Sequence, residues 1–163
     1  MASTSTLRDL LELELQDTYD AEKQLIDALP KMAKAASNPE LRTGFEQHLT
    51  ETQNQVGRLE QVARELNISL KGNSCEGMEG LIEEGEEIID LKADGEVRDA
   101  GLIAAAQKVE HYEIAAYGTL CAWAKQLGLG SVANLLHQSL DEEKRTDEKL
   151  TRLAKGTVNL QAA

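Results

Sequence analysis

Apolar residues recur along this chain at alternating steps of three and four, the period of a helix that buries one face. Four long runs carry the pattern. The first holds Leu7, Leu11, Leu15, Ile26, Leu29 and Ala33 and predicts a helix over about 4–36, beginning near Thr4 or Ser5. Pro30 falls inside it and removes a backbone donor, which predicts a bend near Ile26. The second run predicts a helix over 39–66, with a seam of Phe45, Leu49, Thr52, Val56, Leu59, Ala63 and Leu66. Its start has a cap in Asn38 and a first-turn proline in Pro39. The third run, 95–127, carries Leu102, Ile103, Ala106, Val109, Ala116, Leu120 and Trp123, with Asp94 as its cap. Gly128-Leu129-Gly130-Ser131 then breaks the chain, and a fourth helix over 130–155 precedes a frayed tail.

The connections between runs specify an architecture. Those after the first and third helices are short, so each joins an antiparallel hairpin. The connection over 67–94 is long enough to cross a bundle from end to end. Within it, the stretch from Glu76 to Leu91 with Met78, Leu81, Ile82, Ile88 and Ile89 reads as a short helix weakened by glycines. Two hairpins joined by one long crossover form the plan of a ferritin-like antiparallel four-helix bundle. The expected fold is therefore all-α, with residues 1–163 as a single ferritin-like domain. Scarce aromatic residues and only two prolines agree with long helices.

Each stripe is interrupted near its middle by a carboxylate: Glu22, Glu51, Glu113 and Glu143. A buried carboxylate without a partner is costly, and proteins protonate it, pair it or give it a metal. Neighbours one turn away extend the set. Glu110 precedes Glu113 by three, Gln55 follows Glu51 by four, and Asp147 follows Glu143 by four. A lone glutamate on a stripe is more often a boundary residue reaching for water. The coincidence of four at mid-helix, in this connectivity, favours two metal ions bridged by carboxylates between the helices. His48, flanking the second seam with Glu51 and Gln55, reads either as a ligand or, more commonly, as the cap of a polar patch. His111 and His137 fall off the stripes and are expected at the surface.

The formal charge of -12, with Lys and Arg interleaved among acids, argues against nucleic acid and membrane surfaces as partners. Cys75 and Cys121 have no metal-ligand or disulfide spacing, and Cys121 is expected to pack as a small hydrophobe. Residues 1–6 lack the pattern of a secretory signal, and no apolar run is long enough to cross a bilayer, which suggests the cytoplasm.

Several long motifs resemble the bacterial YciF stress-protein family. They are Asp17-Thr18-Tyr19-Asp20-Ala21-Glu22-Lys23-Gln24-Leu25, the run from Val97 to Leu120 containing Val109-Glu110-His111-Tyr112-Glu113, the segment Glu142-Glu143-Lys144, and Asp147-Glu148-Lys149-Leu150-Thr151. The similarity extends over nearly the whole chain, including Glu76 to Glu84. It implies a ferritin-like, rubrerythrin-related protein, a homodimer, and a candidate dinuclear site for Fe or Mn. Relative to di-iron ligand patterns, Glu22, Glu110 and Glu113 stand in place. Glu51 is followed three later by Asn54, so Gln55 or His48 would substitute for histidine. Glu143 is followed three later by Thr146, which leaves Asp147 as the second donor. An oxygen-only site of Glu22, Glu51, Gln55, Glu110, Glu113, Glu143 and Asp147 is the resulting expectation, favouring Mn or Mg over a site with imidazole. The rubredoxin-type cysteine module of rubrerythrins is absent from this sequence, so redox turnover would need an external reductant. The expected chemistry is oxidation of Fe(II) by peroxide or oxygen, or removal of peroxide. The alternative is a non-catalytic helical dimer that binds a partner under stress around an empty or vestigial site.

Overall fold

The computed structural model describes residues 5–72 and 74–163 and contains no strand among them. Four long helices form the body: α1 (Leu7–Ala35), α2 (Pro39–Leu66), α4 (Gly95–Gln126) and α5 (Gly130–Leu153), with α3 (Glu76–Ile89) in the crossover. Thr4 lies outside the described residues. α1 starts at Leu7 because Thr6 forms a capping box: its hydroxyl accepts from the Asp9 N–H at 3.1 Å, and Asp9 accepts from the Thr6 N–H at 2.9 Å. Pro30 sits within α1, which continues to Ala35. At the next turn the Asn38 side chain accepts from the N–H groups of Glu40 and Leu41, and Pro39 opens α2. Asp94 takes the position before α4, but its side chain makes no capping bond.

Cross-helix hydrogen bonds fix the directions. Arg8 at the start of α1 donates to the Leu66 carbonyl at the end of α2, so this pair is antiparallel. Ser131 near the start of α5 donates to Glu65 near the end of α2, while Arg58 meets Glu142 further along. Gln107 of α4 donates to Asp147 and Thr151 of α5. α2 therefore ends where α1 begins, and α4 begins where α1 ends. The crossover must travel the length of the bundle, and α3 lies along α1 and α4 as it does so. Close approach is needed there: a Cβ on Gly101 would come within 2.8 Å of Ile88 Cγ2. Ion pairs Lys31–Glu86 and Lys108–Glu84 flank α3 on either side.

The tail differs from the frayed end expected. Ala154–Val158 continues α5 as a π-helical turn, followed by α6 (Asn159–Ala162). Val158 is buried in the cluster that holds Ile103 and Leu150, and this burial keeps the tail helical. The apolar core is in two parts. One contains Leu25, Leu29, Phe45, Leu102, Val109 and Leu150, and the other Leu11, Leu15, Leu59, Leu120, Leu136 and Leu140. Between them, in every long helix, lies a polar stretch. Cys121 packs in the second cluster as a small hydrophobe. No helix among the described residues is long and apolar enough to cross a membrane.

Asp99 ties the start of α4 to the α1–α2 turn. Buried, it accepts from the Ser37 N–H at 2.8 Å and the Asn38 N–H at 2.6 Å. Asp99→Ala leaves both donors without that partner and is expected to cost roughly 1–3 kcal/mol in urea unfolding. Asp99→Asn, which retains a single acceptor oxygen, should lose less.

Candidate metal centre

Each long helix sends side chains into the polar layer between the two apolar clusters. Glu22 comes from α1, His48 and Gln55 from α2, Glu110 and Glu113 from α4, and Glu143 from α5. Glu22 and Glu143 are 0 % exposed, Glu113 1 %, Glu110 2 % and His48 3 %. Such values are reached by charged side chains only when they are neutralised or paired. His48 Nε2 lies 3.2 Å from Glu110 Oε1, 3.8 Å from Glu143 Oε2 and 4.0 Å from Glu113 Oε2. One donor atom from each of these four residues falls within 4.8 Å of the others, a grouping able to surround a cation.

Many of these atoms have no protein partner. As carboxylates, Glu113 through both oxygens and Glu22, Glu110 and Glu143 through Oε2 accept from no N–H or O–H group, and neither ring nitrogen of His48 is bonded, although the Glu22–Glu113 and Glu110–Glu143 carboxyls come within reach of each other once protonated. The oxygens that are satisfied identify the supporting groups. The Tyr117 hydroxyl donates to Glu22 Oε1, and Gln55 Nε2 donates to Glu143 Oε1 and, at 3.2 Å, to Glu142. Glu142 is in turn gripped by both terminal nitrogens of Arg58 at 2.6 Å. Arg58 is therefore committed to Glu142.

Burial is the largest cause that holds the carboxyls of Glu22, Glu110 and Glu113 well above their usual range, with repulsion from Glu143 next. Glu143 is also raised by burial, against the opposing influence of His48, Glu110 and Gln55. Tyr117 is raised by its own burial and then by Glu22, so its hydroxyl keeps its proton and remains a donor.

The remaining candidates lie at the edge. Glu51 is half-buried, with its carboxylate 3.8 Å from His48 Nδ1 and accepting from Thr146 at 3.4 Å. The contact with His48 is the main cause that lowers its pKa. Asp147 accepts from Gln107 at 3.0 Å and faces the exposed His111 at 3.4 Å, beside the group rather than within it. The buried grouping is thus not the oxygen-only set expected from the sequence. His48 enters it because the buried face of α2 runs through Phe45, His48, Thr52, Gln55 and Leu59, while Leu49 and Val56 are only half-buried. His48, Gln55 and Val62 recur every seven residues, a signal available in the sequence but masked by the polarity of the first two.

The sign of the pH response follows from the raised carboxyls. Below their ordinary value of about 4.5 they are protonated whether folded or not, and they add no pH-dependent cost. As pH rises above it, the unfolded chain ionises while the folded, metal-free protein resists, so stability falls. Glu113→Gln should therefore raise the melting temperature of chelator-treated protein more at pH 8 than at pH 5. An equal shift at both pH values would show that Glu113 ionises freely in the fold.

Comparison with known proteins places this geometry in context. The profile of DUF892, a domain of unknown function, matches residues 6–163. Protein YciF of Escherichia coli K12 is 54% identical over 158 residues, covering 96% of this chain and 95% of that protein. The crystal structure of the Escherichia coli stress protein YciF superposes with a TM-score of 0.93 over 96% of this chain and 99% of that one. YcfI from Rhodopseudomonas palustris, 45% identical, gives a TM-score of 0.88 over 92% and 96% of the respective chains.

Proposed function

The chain belongs to the DUF892 family, and from that premise we propose that it is a stress-related, ferritin-like protein whose bundle core binds a dinuclear Fe or Mn site. The observation that carries this reading is the set of buried, partnerless donor atoms on Glu22, His48, Glu110, Glu113 and Glu143. Hydrogen-bonded cores satisfy nearly all such atoms, so a group of orphans needs an explanation. The donor chemistry fits. Four carboxylates would balance two divalent ions in charge, and carboxylate with imidazole suits Fe and Mn.

In this reading Glu22, Glu110, Glu113, Glu143 and His48 hold the ions, with Gln55, Glu51 and Asp147 around them. Such ions, when bound, supply electrons for reducing oxygen or peroxide, or a site for peroxide disproportionation. The protein's own groups set the conditions. Tyr117 keeps its proton on the Glu22 bond and orients that carboxylate. Gln55 orients Glu143, and the Arg58–Glu142 pair closes the layer behind it. The two apolar clusters exclude water from above and below. Turnover would draw on an external reductant. The same reading makes the protein a cytoplasmic homodimer.

Elemental analysis of protein purified without tag or chelator tests the proposal. The expected result is about two Fe or Mn per chain. Added Mn(II) at a hundredfold excess over Kd should stabilise the metal-free protein by about 2.7 kcal/mol per binding site, and Glu113→Ala should abolish the shift. Protein that arrives empty and refuses both Fe(II) and Mn(II) would instead support the non-catalytic, partner-binding bundle.

A further inference from the structure

A small cavity adjoins the polar layer on the side of His48, between α1, α2, α4 and α5. It leaves about 40 Å³ for the centres of water-sized molecules. One water needs roughly 10–15 Å³ on that measure, so the space admits a molecule of two or three heavy atoms and no organic substrate. Its walls are mainly Leu25, Leu29, Met32, Phe45, Val109 and Leu150, and its inner end is His48, Glu51 and Glu110. Gly44, Lys149 and Leu150 line both this cavity and an outer groove formed with Pro39, Leu41 and Gln47. Those three residues therefore stand between solvent and the interior on this side, as Leu29 and Phe45 do towards the groove around Pro30 and Arg42.

We propose that this cavity is the passage by which a small, neutral, weakly polar molecule of dioxygen's kind reaches the buried cluster, and that Gly44 sets the width of its mouth. The proposal rests on the cluster holding metal. Apolar walls disfavour a hydrated cation, which would have to shed water without replacement oxygens. They impose little cost on a neutral diatomic. Hydrogen peroxide, with two hydroxyl groups to desolvate, is the less suited oxidant.

Gly44 lies one helical turn before His48, so the two share a face of α2. Glycine inside a helix costs roughly 0.5–1 kcal/mol relative to alanine. Packing does not demand it, since a Cβ there would meet nothing within 4 Å. A larger side chain can be placed without backbone strain, and it would project at the mouth. Gly44 is thus the position at which the passage can be narrowed while every donor atom of the cluster is left in place.

The test uses the full chain with Gly44→Leu, and Gly44→Ala as a graded variant that changes the mouth by one methyl group. Crystals of metal-free protein under xenon pressure report the cavity independently of any metal. Anaerobic titration with Fe(II) reports the cluster, and stopped-flow mixing with dissolved dioxygen reports access. Wild type is expected to bind xenon beside Val109 and Leu150, and Gly44→Leu to exclude it. Both should bind Fe(II) equally, while oxidation in Gly44→Leu slows by about tenfold, the effect of a 1.4 kcal/mol higher barrier, and Gly44→Ala falls between. Xenon absent from the wild-type cavity, or an unchanged oxidation rate in Gly44→Leu with Fe(II) bound, would overturn the passage alone. A peroxide reaction slowed in Gly44→Leu while the dioxygen reaction is not would overturn the choice of molecule. Fe(II) failing to bind wild type would overturn the metal reading, and with it this role for the cavity whatever xenon shows.

Discussion

Four carboxyls buried at one level of the bundle are the constraint around which the rest of the structure is arranged. Removing an ionised carboxylate from water costs several kcal/mol even after relaxation, while a whole domain is stable by roughly 5–15 kcal/mol. Glu22, Glu110, Glu113 and Glu143 cannot all be charged without countercharge. Arg58, which feels the charge of Glu22, is held by Glu142, and His48 supplies one positive charge at most. The apolar clusters on either side of the layer offset the cost, and their separation into two follows from the layer itself. Connectivity is bound up with the same requirement. Carboxyls from the middle of four helices meet only if neighbours run antiparallel in matched register. The order of the hairpins then forces residues 67–94 along the full length of the bundle.

Much of this was legible in the sequence, because helix period and turn chemistry are local. α2 begins at Pro39 and ends at Leu66 as its caps and seam indicate. Glu22, Glu51, Glu113 and Glu143 were visible as interruptions in apolar stripes, and Glu110 as the neighbour one turn before Glu113. What failed was the choice between adjacent faces. The seam of α2 was drawn rightly through Phe45, Thr52 and Leu59 but also through Leu49 and Val56 because they are apolar, where the buried residues are their neighbours His48 and Gln55. A polar residue on a buried face reads as a flank whenever burial is inferred from hydrophobicity. The same limit separates Glu51 and Asp147 from the inner group: a rotation of one residue along a helix decides whether a carboxylate points inward or to the rim. The tail was misread for a different reason. Val158 is a lone apolar residue, and only contact with α4 and α5 gives it a place in the core.

The layer is not symmetric. Towards the second apolar cluster it is closed by hydrogen bonds: Tyr117 on Glu22, Gln55 on Glu143, and Arg58 on Glu142. The first two each use one carboxylate oxygen and leave Oε2 of Glu22 and Glu143 without such a donor, whereas Arg58 occupies both oxygens of Glu142. Towards the first cluster the described residues supply bonds at the rim, from Thr146 to Glu51 and from Gln107 to Asp147. His48 has both nitrogens free, Glu51 is half in solvent, and a cavity adjoins them. One side therefore orients the donors and the other gives access to them.

This asymmetry bears on what neutralises the acids. A cluster adapted to protons would be expected to satisfy its oxygens with one another, each carboxyl donating to a neighbouring carboxylate until few acceptors remained. Here Glu22 stands against Glu113 and Glu110 against Glu143 in that way, while Tyr117 and Gln55 hold Glu22 and Glu143, and His48 Nε2 lies 3.2 Å from Glu110. Protons shared within those two pairs relieve part of the charge and restore part of the hydrogen bonding, but leave His48, Glu110, Glu113 and Glu143 with donor atoms gathered within 4.8 Å. A divalent cation does both, because the partnerless atoms become its ligands. The convergence of these four residues, more than the number of acids, is therefore the ground on which the proposed metal reading rests.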